Sequence, residues 1–348
     1  MVRSNASSSG RITMADLARL AGVSIPTVSR ALRNIDSVLP ETRARIQALA
    51  AEHGFVANAA AQALRGRASR KIAIVFDFQS AGLGRTSPDA FIFELLGDVA
   101  HALTIRDFEI ALCPREPSTE RYEQKFSEIG ASGAIFLGQG GQHDLLQNLA
   151  TRYPIVVWGA LLPDSTYCIV GSDNFTGGRL VGEEFKAGAR KSVLLVGNPE
   201  TEQVRMRFGG FAVGFAGSGQ NTVDTLPVGF SYEEAHRAVL ESLKARPKPP
   251  DGIFAATDTL AMAAIRAIRE TGLVVPDDVV VIGYNNIPQA QTFEPALTTI
   301  QEDDHRAGSL LVEKVMQIRD GVRASSVSLS VSLIRRLSSG GPAPDAPA

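Results

Sequence analysis

From Lys71 onward the chain alternates between two hydrophobic periods, and this restricts its fold more than any other feature. Short apolar runs lie at 72–76, 109–113, 134–137, 155–158, 192–196, 252–256 and 279–284, and they end in Gly or polar residues. Amphipathic stretches of helical length separate most of them, among them 91–103, 180–186, 231–245 and 258–270. Near-continuous apolar strands in a repeated β-α-β order form parallel sheets covered on both faces. So many strands in one chain predict two sheets and therefore two subdomains. A length of 348 residues also exceeds one typical domain. No apolar run approaches the roughly 18 residues needed to cross a bilayer.

The first seventy residues read differently. Thr13-Met-Ala-Asp16 forms a capping box, and Leu17, Leu20 and Ala21 then make one apolar stripe that Gly22 stops. Ser24 caps a second helix with Pro26 in its first turn, where a missing N–H costs little, and Val28, Ala31 and Leu32 form its buried face. A third helix is predicted from about 40 to 51, with Ile46, Leu49 and Ala50 inward and Gly54 as its stop. The charge is equally lopsided. Residues 1–70 carry ten Arg against four acids, a balance of +6, which leaves −8 on the rest of a chain whose net charge is −2. A basic head on an acidic body is the footprint of a polyanion-binding module joined to something else.

Two short helices joined by Ala21-Gly22-Val23 make a helix-turn-helix, whose second helix enters the DNA major groove. The string Gly22-Val-Ser-Ile-Pro-Thr-Val-Ser-Arg-Ala-Leu32 closely resembles the DNA-binding head of the lactose-repressor (LacI/GalR) family. The resemblance implies that Ile25 and Pro26 choose operator bases, reading thymine methyls and shape because neither offers a polar edge. Ser29 and Arg30 match further groove-facing positions, and Arg30 could donate two bonds to guanine for about 1–3 kcal/mol of discrimination. Ser24, Thr27 and Thr42 are expected on phosphates, which fix register and not sequence. Thr13 and Arg33 complete the DNA-facing set in the head. Leu39 stands where family members often place a capping Ser, a loss of roughly 0.5–2 kcal/mol. The segment Asn58-Ala-Ala-Ala-Gln-Ala-Leu64 resembles the family's hinge helix, with Leu64 as a minor-groove wedge and Asn58 and Ala61 beside it. Ala57 replaces the usual Pro before it. Seven or eight residues cannot hold a helix alone in water, so this one needs a second copy on DNA.

The resemblance extends over the core through Gly171-Ser-Asp-Asn174, Arg205-Met-Arg207-Phe-Gly-Gly-Phe211, Ala255-Ala-Thr-Asp258, Val281-Ile-Gly-Tyr-Asn285-Asn286 and Pro295-Ala-Leu-Thr-Thr-Ile300. It implies an α/β fold in which the all-α helix-turn-helix head precedes a periplasmic-binding-protein-like core of two doubly wound subdomains, with ligand between them. Arg207 matches the family's effector-binding arginine, a fork of donors suited to hydroxyls or a carboxylate. Asn285 stands where Asp is usual and Thr257 where Asn is common, while Asp258 keeps the adjacent acid. Asp173 either contacts ligand or caps the helix that follows. Trp158 and Phe91 or Phe93 could stack on a sugar face or serve as core aromatics.

The expected organisation is a disordered N-terminus at 1–10, the head at 11–57, hinge and linker at 58–70, the core at 71–338 and a disordered tail at 339–348. Within the core the first subdomain is expected at about 71–168 and 299–322, the second at about 169–298 and 323–338. An enzyme is not expected. Gly138-Gln-Gly-Gly141 falls short of a dinucleotide signature, no phosphate loop or nucleophile elbow occurs, and the five His are scattered without metal spacing. No cofactor or metal is implied. Cys113 and Cys168 read as buried free thiols, and the polar, Ser-rich first ten residues lack a secretory core, so the expected location is the cytoplasm. The expected partners are near-palindromic operator DNA, a second copy of the chain and a small effector. A sugar fits best, a nucleobase corepressor is the alternative, and the sign of the effect is open. No heptad repeat follows Leu337, so a coiled-coil tetramer is not expected. A solute-binding transport protein would share the core and lack the basic head, and a nonspecific architectural DNA binder would show no sequence preference.

Overall fold

The computed structural model of the protein describes residues 14–32, 38–52, 69–76, 90–217, 221–302 and 306–342. The chain divides into two compact units, one of residues 1–69 with 124–130 that contains the helical head, and one of residues 70–123 and 131–348 that holds the α/β core.

The head contains α1 (Met14–Ala21), α2 (Ile25–Leu32) and α3 (Pro40–Glu52). Leu17, Val28, Ala31 and Ile46 are fully buried at its centre, where the apolar spacing of each helix directs them. Gly22 ends α1 with φ +63°, a left-handed turn that the Val23 N–H closes by donating to the Ala18 carbonyl at 3.0 Å. Arg45 of α3 donates to the Ala21 carbonyl at 2.8 Å and ties the third helix to the end of the first. Leu39 supplies no side-chain cap and is 75% exposed, yet its carbonyl accepts from the Arg43 N–H at 2.9 Å and Pro40 opens the helix. Val38 just before it is buried in the head's core.

The core has two six-stranded sheets. The first contains β1 (Lys71–Val75), β2 (Glu109–Cys113), β3 (Gly133–Leu137), β4 (Ile155–Trp158), β5 (Cys168–Ser172) and β11 (Val327–Leu329), in the order β2-β1-β3-β4-β5-β11, all parallel. The second contains β6 (Ser192–Val196), β7 (Thr222–Leu226), β8 (Gly252–Ala255), β9 (Val280–Asn285), β10 (Thr298–Glu302) and β12 (Val331–Ile334), in the order β7-β6-β8-β9-β10-β12, with β12 alone antiparallel. Both sheets repeat one winding, in which each chain reverses direction across the sheet after its first strand. In such sheets ligands lie beyond the carboxyl ends of the strands at the switch point. The flanking helices are α4 (Ala90–Thr104), α5 (Thr119–Ile129), α6 (His143–Ala150), α7 (Asn174–Ala187), α8 (Glu202–Phe215), α9 (Tyr232–Ala245), α10 (Asp258–Glu270), the short α11 (Pro288–Thr292) and α12 (Ala307–Arg319).

Three segments cross between the sheets: β5 to α7, β10 to α12, and β11 to β12. The crossings lie one strand away from the expected boundaries. Residues 168–172 complete the first sheet and 298–302 the second, because each strand runs to its carboxyl end before the chain changes subdomain. Strand 327–329 also joins the first sheet, not the second. The expected tail from 339 begins too early as well. Leu337–Ser339 forms a 3-10 turn, and Ser338, fully buried, donates to the Val281 carbonyl at 2.6 Å and accepts from the Thr298 N–H at 2.9 Å. Arg336 adds bonds of 2.8 Å to the Leu297 carbonyl and to Asn286 Oδ1, so the C-terminal segment is stitched to β9 and β10.

Candidate effector site and DNA-facing helix

The site is built on the closest helix contact in the core. α7 and α8 meet through glycines spaced four apart, Gly178 and Gly182 on one and Gly210 and Gly214 on the other. A Cβ on Gly178 would collide with the Arg207 carbonyl oxygen, and one on Gly210 with that of Phe175, so only glycine permits this backbone approach. The close contact brings Asn174, in the first turn of α7, against Arg207 in the second turn of α8.

Arg207 is 6% exposed and its guanidinium is engaged on three sides. Nε donates to Asn174 Oδ1 at 2.8 Å, Nη1 to the Ala256 carbonyl at 2.5 Å, and Nη2 to Glu302 Oε1 at 3.3 Å. Its flat face lies 3.5 Å from the centroid of the Tyr284 ring, a cation–π contact. Burial pushes the Tyr284 hydroxyl well above its ordinary range, so the ring stays neutral. Glu302, fully buried, also accepts from Ser172 Oγ at 2.5 Å and, on its other oxygen, from Asn285 Nδ2 at 3.3 Å. Asn174 Nδ2 in turn donates to the Ser172 carbonyl at 3.0 Å. One hydrogen-bonded group therefore joins the end of β5, the start of α7, the end of β8, the end of β9 and the end of β10. Two of the three crossings pass through it.

Of the sequence-predicted residues, Arg207 and Asn285 meet in this cluster. Asn285 holds φ +104°, a conformation that non-glycine residues occupy at a cost of order 1–3 kcal/mol, and Asn286 beside it is left-handed at φ +52°. Thr257 and Asp258 lie next to the cluster, and each makes structural hydrogen bonds. The Thr257 hydroxyl caps α10 by accepting from the Leu260 N–H at 3.4 Å. Asp258 accepts from the Ile287 N–H at 2.9 Å and the Thr299 hydroxyl at 2.5 Å while fully buried. Asp173 caps α7, accepting from the Thr176 N–H at 3.0 Å. Phe91 and Trp158 pack together with ring centroids 5.5 Å apart inside the apolar core, and Phe93, on the opposite side of α4, is exposed. Glu302, Ser172, Asn174 and Tyr284 are site residues that sequence reasoning misses. The available signal for Glu302 is that it is the first charge after the run from Ala296, at the carboxyl end of a strand.

The Gly138–Gly141 segment is a turn with φ +104°, +59° and +67° at Gly138, Gly140 and Gly141. Arg115 staples it by donating to the Gly138 and Gln139 carbonyls at 2.6 and 3.2 Å. The buried Gln139 amide pairs with both backbone groups of Ala160, at 2.8 and 3.0 Å, in the space left by the missing side chain of Gly159. It thereby links the carboxyl ends of β3 and β4.

In the head, Ser24 and Thr27 hydroxyls bond each other at 2.8 Å at the start of α2, and the Thr27 N–H donates to Ser24 Oγ at 3.4 Å. Pro26 and Arg30 are exposed, Ile25 packs partly against the head's core, and Thr42 is half-buried. Thr13, the Ser29 side chain, Arg33, Asn58, Ala61 and Leu64 lie outside the described residues. Among the described residues no cluster of His, Cys, Asp and Glu is placed to hold a metal ion, and no helix is long and apolar enough to cross a membrane. Both cysteines are buried free thiols.

A helix-turn-helix head and a two-sheet core with an internal polar cluster define a DNA-binding transcriptional regulator with an effector-binding core. The family model for bacterial regulatory proteins of the lacI family matches residues 13–58, and the model for a periplasmic binding protein-like domain matches residues 183–339. The chain belongs to the lacI family. It is 29% identical to the HTH-type transcriptional repressor PurR of Photobacterium profundum, over 88% of this chain and 91% of that protein. It is also 29% identical to the HTH-type transcriptional regulator CelR of Thermobifida fusca, over 88% and 92%. Its fold is that of the lac repressor dimer bound to operator and the anti-inducer ONPF, with TM-score 0.67 at 22% identity over 95% of this chain and 99% of that one. The transcriptional regulator CelR–cellobiose complex superposes with TM-score 0.66 at 24% identity, over 94% and 100%.

Proposed function

We propose that the protein is a repressor that binds a near-palindromic operator as a homodimer and whose operator affinity is set by a sugar-class effector held between the two core subdomains. The observation that carries this reading is the Arg207 cluster, which draws together strand ends of both sheets and two of the three crossings. A molecule bound there touches both subdomains at once. It therefore has a different affinity for each of their relative arrangements, and that difference is what a ligand needs to shift a conformational balance. Relatives bound to cellobiose and to ribose support a sugar over other small molecules. In this reading Ile25, Pro26, Ser29 and Arg30 face the groove, Ser24, Thr27, Thr42, Thr13 and Arg33 the backbone, and Asn58, Ala61 and Leu64 the central minor groove. Arg207 and Asn285 contact the effector, with Asp173 on the cleft wall.

The test is thermal-shift screening of the purified chain against sugars, nucleobases and organic acids. Each hit is then added to a fluorescence-anisotropy titration with operator DNA. A sugar that shifts both the melting temperature and the operator affinity supports the reading, and a nucleobase hit alone replaces the sugar with the nucleobase corepressor.

A further inference from the structure

The Arg207 guanidinium carries five N–H groups, and three of them are committed to Asn174, Ala256 and Glu302. Two remain, one on each terminal nitrogen, on a residue that is 6% exposed. Its positive charge is already met inside the protein, because Glu302 lies 3.3 Å away with no exposure to solvent. Ser172 and Asn285 donate to the same carboxylate from two strand ends. We propose that Glu302 sets the charge of the effector: paired with Arg207, it makes the cleft accept an uncharged polyhydroxylic molecule and reject its carboxylate or phosphate counterparts. This rests on the cleft being the effector site.

The argument is electrostatic. An anion reaching the two free N–H groups would come within roughly 6 Å of a buried carboxylate, whose repulsion offsets the attraction of the guanidinium and lowers affinity on the order of 10–100-fold relative to an arginine without that partner. A hydroxyl or ring oxygen accepts the same two hydrogen bonds without that repulsion. Arg207 without Glu302 would be an anion site; the pair is a neutral donor.

The test compares the full chain with Glu302→Gln, which keeps an amide in place of the carboxylate, and with the double variant R207Q/E302Q. Isothermal titration uses neutral sugars paired with their uronic acids and 6-phosphates, and thermal shift uses inorganic phosphate alone. In the wild type the neutral member binds at least tenfold more tightly than its acid. In E302Q that ratio falls by 10–100-fold, and phosphate raises the melting temperature of E302Q but of neither the wild type nor the double variant. Should E302Q fail to fold, the double variant carries the test, since without either charge it binds neutral and acidic members within about threefold. A wild type that prefers the acid, an E302Q that keeps the wild-type ratio, or a folded double variant that still rejects acids overturns the proposal. If no sugar binds at all, the sugar reading falls by itself and phosphate still reads the charge: phosphate that stabilises the wild type, or that fails to stabilise a folded E302Q, overturns the proposal.

Discussion

At the scale of single residues the core carries two ionisable sites, a buried ion pair and a buried thiol, that water would treat very differently. Glu302 and Arg207 form a deeply buried pair, and such pairs contribute little net stability but are costly to break. Glu302→Ala should lower the unfolding free energy by about 3–5 kcal/mol, because it leaves a buried cation beside only neutral acceptors. Chemical denaturation of the single variant, set against a double replacement of both residues by Met, measures this. The double should recover much of the loss. Cys168 is the second case. Burial raises its thiol from 9.0 to about 11, opposed by the more distant Lys314. An unfolded thiol ionises from pH 9 upward while the folded one holds its proton until about pH 11. Stability from this group is therefore complete below pH 9 and is lost across that interval. Thermal melts from pH 8 to 11 should show a steeper decline in the wild type than in Cys168→Val, the difference between the two isolating Cys168 from the buried tyrosines. A thiol reagent at pH 8 should leave the folded wild type unlabelled at this position.

At the scale of elements the decisive contact is the glycine-lined crossing of α7 on α8. Gly178→Ala and Gly210→Ala each place a methyl group against a facing carbonyl, so the helices must part. Overpacking of this kind costs about 1–3 kcal/mol, and here it should also loosen the Asn174–Arg207 bond. Urea unfolding and effector titration of the same variants should show both effects, whereas Gly209→Ala, whose nearest neighbour is the Phe175 ring at 4.0 Å, should change neither appreciably. This contact also explains what the sequence conceals. The strands at 109–113, 155–158 and 192–196 and the helix at 258–270 are legible because their apolar residues follow one unbroken period. The periodicity predicts α7 only from 180, and the helix begins at Asn174, because Gly177 and Gly178 weaken the helical signal in its first turns. β7 escapes sequence reading because it is an exposed edge strand with a single paired neighbour. Arg207 is legible from its motif, but Glu302 is not, since a Glu that opens the acidic stretch Glu302-Asp303-Asp304 resembles a solvated strand end until β10 is placed beside α8. Thr257 and Asp258 are ambiguous for the opposite reason. Their position after a strand is that of a ligand contact, and caps and loop anchors occupy the same position.

At the scale of the whole molecule, charge and architecture divide along one line. Residues 1–69, in the unit that carries the helix-turn-helix, hold nine Arg against four acids, a balance of +5, and the remaining residues hold −7. Phosphate contacts release counterions, so affinity for any duplex falls with salt in proportion to the number of phosphates neutralised. A body of net negative charge adds nothing to that slope and opposes nonspecific adhesion outside the head. A chain beginning at Arg70 should therefore lose all measurable DNA binding while keeping the effector affinity and thermal unfolding of the core, because the core's sheets and its polar cluster lie within the second unit. In the intact protein, Arg30→Ala and Thr42→Ala should separate the two kinds of contact. Removing an exposed base-reading fork should cost about 1–3 kcal/mol on operator and little on random DNA. Removing a phosphate contact should weaken both nearly equally. Anisotropy titrations of both variants on operator and scrambled duplex, at two or more salt concentrations, distinguish these outcomes. An equal loss on both duplexes for Arg30→Ala would move that arginine from reading bases to holding the backbone.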